Sequence, residues 1–125
     1  MRLLNTVLAV LALLATTYAP LSYADGDVAT MTGIVISLQH FPDDADKEAL
    51  AAISAGDGSD SVKAVANAIA GINHKVSADD KATLEAIAAD DSQPADLREL
   101  AGIVAGVNHM PGADAKAKLA ELTGR

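Results

Sequence analysis

The chain has 125 residues, with 17 acidic side chains against 9 basic ones, a net charge of −8, 2% aromatic residues and no cysteine. That balance excludes the Lys/Arg clusters a nucleic acid surface needs and opposes docking on anionic lipid. The missing cysteine removes disulfides, thiol catalysis and thiolate metal sites.

The chain opens with an export pattern. Arg2 supplies a positive start, and Leu3 to Ala15 is dominated by Leu, Val and Ala, too short to span a bilayer comfortably. Ser22-Tyr23-Ala24 places small residues for cleavage before Asp25. The competing Thr17-Tyr18-Ala19 would leave Pro20 after the scissile bond, where the ring locks φ and removes the N–H. Residues 1–24 are read as a cleaved signal peptide and 25–125 as a single domain, periplasmic or secreted, with no stable membrane anchor after cleavage.

Downstream, one unit occurs three times, spanning 27–54, 61–89 and 95–122. His40, His74 and His109 recur at intervals of about 34 residues, each preceded by an amide side chain (Gln39, Asn73, Asn108). Seven residues after each comes Lys47, Lys81 or Lys116, and ten after comes Leu50, Leu84 or Leu119. Before the histidines run three apolar stripes in register: Val28, Met31, Val35, Leu38; then Val62, Val65, Ile69, Ile72; then Leu97, Leu100, Val104, Val107. The i, i+3, i+7, i+10 spacing is that of an amphipathic helix.

In chain order the helices are expected over 27–39, 44–54, 61–73, 78–89, 95–108 and 113–122. Pro42-Asp43-Asp44, Ser77 and Pro111-Gly112 mark the turns within units, and Asp43 and Ser77 stand where N-caps belong. The runs 55–60 and 92–94 break one unit from the next. The fold class is therefore all-α, with three helix-turn-helix repeats and about six helices packed as a small bundle or short solenoid. A second stripe of small or amide residues (Gly33, Ser37; Asn67, Gly71; Gly102, Gly106) costs helix propensity and is read as close approach of a neighbouring helix.

The three histidines are the candidate site. The preferred role is helix C-capping, in which imidazole complements the dipole and bonds the last carbonyls. The alternative is a metal or haem site: His40, His74 and His109 as ligands to copper, zinc or haem. In an open stack equivalent positions would lie ~10 Å apart, too far to share an ion. Closure about a pseudo-threefold axis would bring them together. Met110, beside His109, suits copper, but Phe41 and Lys75 hold the equivalent places.

The acidic pairs Asp43-Asp44, Asp79-Asp80 and Asp90-Asp91 fall at helix starts and turns, where aspartate caps, and the twelve-residue calcium loop is absent. No nucleophile elbow or phosphate-cradling glycine loop occurs, so no enzymatic activity is expected. The expected function is binding an unknown protein partner, or stabilising an assembly, with transition-metal or haem binding as the alternative.

Overall fold

The computed structural model describes residues 26–123, so the signal-peptide reading of 1–24 lies outside the described residues. Six helices follow: α1 (26–36), α2 (Asp44–Ala55), α3 (Asp60–Ala70), α4 (Ala78–Ala89), α5 (Ala95–Ala105) and α6 (Ala113–Thr123). They form a compact all-helical bundle, with no strand longer than an isolated bridge among the described residues.

The apolar stripes form the core. All twelve stripe residues are buried, as are Leu50, Ile53, Leu84, Ile87, Leu119 and Leu122 from the shorter helices. Burying one such aliphatic side chain is worth about 1.5–3 kcal/mol, and eighteen sites in three registers leave the helices little freedom to rotate.

Start signals act as expected for the second helix of a unit. Asp43 Oδ1 accepts from the Asp46 N–H at 2.8 Å, and Ser77 Oγ accepts from the Asp80 N–H at 3.1 Å. Ser59 does the same for α3 through the Val62 N–H. Each bond satisfies a donor that the first turn of a helix leaves orphaned.

Helix ends depart from expectation. The first helices of the units stop at 36, 70 and 105, three residues before the expected 39, 73 and 108. Leu38, Ile72 and Val107 nonetheless stay buried, because the chain carries the end of each stripe into non-helical backbone. The close-packing reading of the small-residue stripe is also corrected. Gly33 is exposed, and a Cβ built there meets nothing within 4 Å, while one at Gly102 meets only Ala88 Cβ at an ordinary 3.8 Å. Gly71 and Gly106 are the C-caps of α3 and α5. Asn67 uses its Oδ1 to accept from Ser54 Oγ at 2.8 Å, tying α2 to α3.

Among α2 to α6 the most extensive helix pairings are α2 with α3 and α4 with α5, across the breaks between units rather than across the turns at His74 and His109. Arg98 braces the second of these joints, with Nη2 3.0 Å from Asp91 Oδ1 and Nε donating to the Ala88 carbonyl. The turns at His74 and His109 therefore do not fold a helix tightly back on its predecessor. They carry the chain around a common axis.

Candidate metal centre

Each histidine follows its helix by a short connector: α3 ends at Ala70, Gly71 caps it, and His74 comes three residues later. The C-capping role preferred from the sequence therefore falls to Gly71 and Gly106, since a histidine that far past the last turn is beyond the helix's free carbonyls. His40, His74 and His109 instead adopt φ of 63°, 70° and 69°, the only positive φ angles among the described residues. The Phe41 N–H donates to the Gln39 carbonyl at 2.6 Å, closing a three-residue turn around His40 of the rare positive-φ kind. A left-handed conformation costs a side-chain-bearing residue about 1–2 kcal/mol. It recurs at three equivalent positions, so the surrounding structure must over-determine it.

What holds the three residues is a closed ring of backbone hydrogen bonds. The His40 N–H donates to the His109 carbonyl at 2.5 Å, the His74 N–H to the His40 carbonyl at 2.6 Å, and the His109 N–H to the His74 carbonyl at 2.5 Å. The third unit thus closes on the first, giving the pseudo-threefold arrangement and not the open stack.

The ring brings the imidazoles together. Nδ1 of His40 is 3.2 Å from Nδ1 of His74, that of His74 is 3.0 Å from His109, and that of His109 is 3.4 Å from His40. The ring planes meet at 73–79°, like blades of a propeller. All three residues are exposed, and they form the one cluster of three or more His, Cys, Asp or Glu with metal-ligand spacing among the described residues.

Hydrogen bonding alone cannot satisfy this triangle. A neutral imidazole nitrogen carries either a proton or an in-plane lone pair, never both. Three such nitrogens in mutual contact can make at most two of the three possible bonds. One cation, by contrast, meets three lone pairs at once. Bonds of about 2.0–2.1 Å at a tetrahedral angle separate ligand nitrogens by about 3.3 Å, and the observed edges of 3.0–3.4 Å bracket that value.

The charge of the chain adds attraction for cations. Asp44, Asp46, Asp79, Asp80 and Asp114 lie in the first turns of α2, α4 and α6, immediately after the histidine turns. In a chain of net charge −8 they favour the approach of a cation. The sequence singled out the three histidines, as helix caps or alternatively as ligands, but not their backbone conformation, for which histidine's tolerance of left-handed φ was the available signal. The flanking Gln39, Asn73 and Asn108 stand in the isolated bridges that frame the turns.

No protein-family model, curated protein or solved structure matches the chain. Among the described residues no helix is long and apolar enough to cross a membrane.

Proposed function

We propose that this chain is an exported transition-metal-binding protein that holds one first-row divalent ion through Nδ1 of His40, His74 and His109. The observation that carries the reading is the triangle of Nδ1 atoms with edges of 3.0–3.4 Å. Three imidazoles and no carboxylate make a borderline donor set, suited to zinc, copper, nickel or cobalt and poorly suited to magnesium or calcium. Among the ligands considered from the sequence, zinc and copper fit the tripod and haem does not. A porphyrin fills four equatorial positions and leaves two trans sites, whereas these three nitrogens are mutually cis. Export rests on the leader sequence alone, with its apolar run and small residues before Asp25. No enzymatic role is proposed.

Calorimetric titration of the purified 25–125 protein with zinc and with copper tests the reading. One saturable equivalent, abolished in the triple variant His40→Ala, His74→Ala, His109→Ala, supports it. Titration curves indistinguishable between the two proteins would sink it.

A role in binding a protein partner keeps one supporting observation. Among the described residues Phe41 and Met110 are the exposed large hydrophobic ones, 56% and 42% accessible, and each directly follows a histidine. Such residues favour a contact at the histidine end of the bundle. Size measurement with and without one equivalent of zinc tests this second reading, since a protein monomeric in both states has no self-association there.

A further inference from the structure

We propose that the metal-loaded tripod accepts a fourth, exogenous nitrogen-donor ligand, and that the ion enters and leaves through this ternary complex. The inference rests on the metal reading above and adds the route of exchange and the chemical class of the carrier.

Three observations lead to it. The histidine cluster contains no fourth His, Cys, Asp or Glu among the described residues, whereas a zinc-like ion takes at least four ligands. The three histidines are exposed, so the remaining position is reached from solvent without opening the fold. Finally, the nitrogens are tied at the backbone. Each histidine donates its N–H to one neighbour and accepts at its carbonyl from the other, so a released imidazole leaves only by rotating its own side chain and stays beside the ion, placed to rebind.

Spontaneous dissociation must break three metal–nitrogen bonds held by a fixed frame. Attack from the open side avoids this. The incoming nitrogen donates its lone pair to the ion as a bound water departs, forming one bond while breaking one. A second donor atom of the same chelator then displaces one imidazole, whose Nδ1 lone pair is freed toward solvent or a neighbouring ring N–H. Repetition transfers the ion with no change in oxidation state. The carriers that suit an all-nitrogen site are imidazole- or amine-bearing chelators, such as free histidine. The net charge of −8 disfavours polyanionic carriers, and added salt weakens that discrimination.

The test mixes zinc-loaded protein with the chromophoric chelator 4-(2-pyridylazo)resorcinol over a range of concentrations and follows transfer by absorbance. A tenfold rise in chelator is expected to give about tenfold faster transfer, and adding imidazole at fixed chelator speeds it further. A transfer rate unchanged across the range, with or without imidazole, overturns the proposal. The starting sample separates the two claims. Protein that retains no zinc after desalting defeats the metal reading itself, whereas retained zinc released at a chelator-independent rate defeats only the exchange route.

Discussion

Nδ1 of His74 lies 3.0 Å from Nδ1 of His109 across 35 residues of chain, and the backbones of the same two residues are joined by the His109 N–H donating to the His74 carbonyl at 2.5 Å. The side-chain contact thus has a backbone cause. Each turn places its own imidazole, and the ring of main-chain bonds sets the distance between them.

Removing a single ligand should weaken zinc binding by more than about 100-fold, since even outer-shell partners of metal ligands contribute 10–100-fold. His74→Ala, titrated in parallel with the parent protein, checks this. A loss of twofold or less would mean that His74 is not a ligand.

Backbone and side-chain roles separate in the metal-free protein. At φ of 70°, glycine relieves a strain that alanine keeps, and this exceeds glycine's extra unfolded-state entropy. His74→Gly should therefore be more stable than His74→Ala by about 0.5–1 kcal/mol in urea denaturation, although both lack the imidazole. Equal stabilities would show that the left-handed turn carries no strain.

Gly33 lies inside α1 with open space where its Cβ would stand. Gly33→Ala should raise stability by about 0.5–1 kcal/mol through helix propensity. A destabilised variant would restore the close-packing explanation of the small-residue stripe.

These comparisons mark how far the sequence could be read. The stripe from Val62 to Ile72 and its two counterparts were legible because burial imposes a 3.6-residue period directly on residue type. Asp43 and Ser77 were legible as caps because their chemistry is local. The ends of α1, α3 and α5 were not, because Leu38, Ile72 and Val107 continue the apolar period after the helix has stopped. Nor was closure legible. It depends on the bond from the His40 N–H to the His109 carbonyl, which joins residues 69 apart and leaves no mark on the sequence near either. The repeat marked out the three histidines, and only the folded ring gives the distances between them.

Acid should act on the joint between α4 and α5 through Asp90. Its carboxylate accepts from the Ser92 hydroxyl at 2.6 Å, the Ser92 N–H at 3.0 Å and Gln93 Nε2 at 3.3 Å. The Ser92 hydroxyl first, then the other donors, hold its pKa below the ordinary carboxylate value. A depressed folded-state pKa contributes stability that is present above the unfolded-state value and lost as pH falls through the folded one. Asp90→Asn should be less stable than the parent protein at neutral pH, and the difference should shrink in acid. A gap that widens on acidification would contradict this sign.

The most direct test is long-range proton–nitrogen correlation NMR of the ¹⁵N-labelled 25–125 protein before and after one equivalent of zinc. The account predicts that all three Nδ1 resonances move together to metal-coordinated positions while each Nε2 keeps its proton. Coordination through Nε2, a shift in fewer than three histidines, or spectra unchanged by zinc would contradict it.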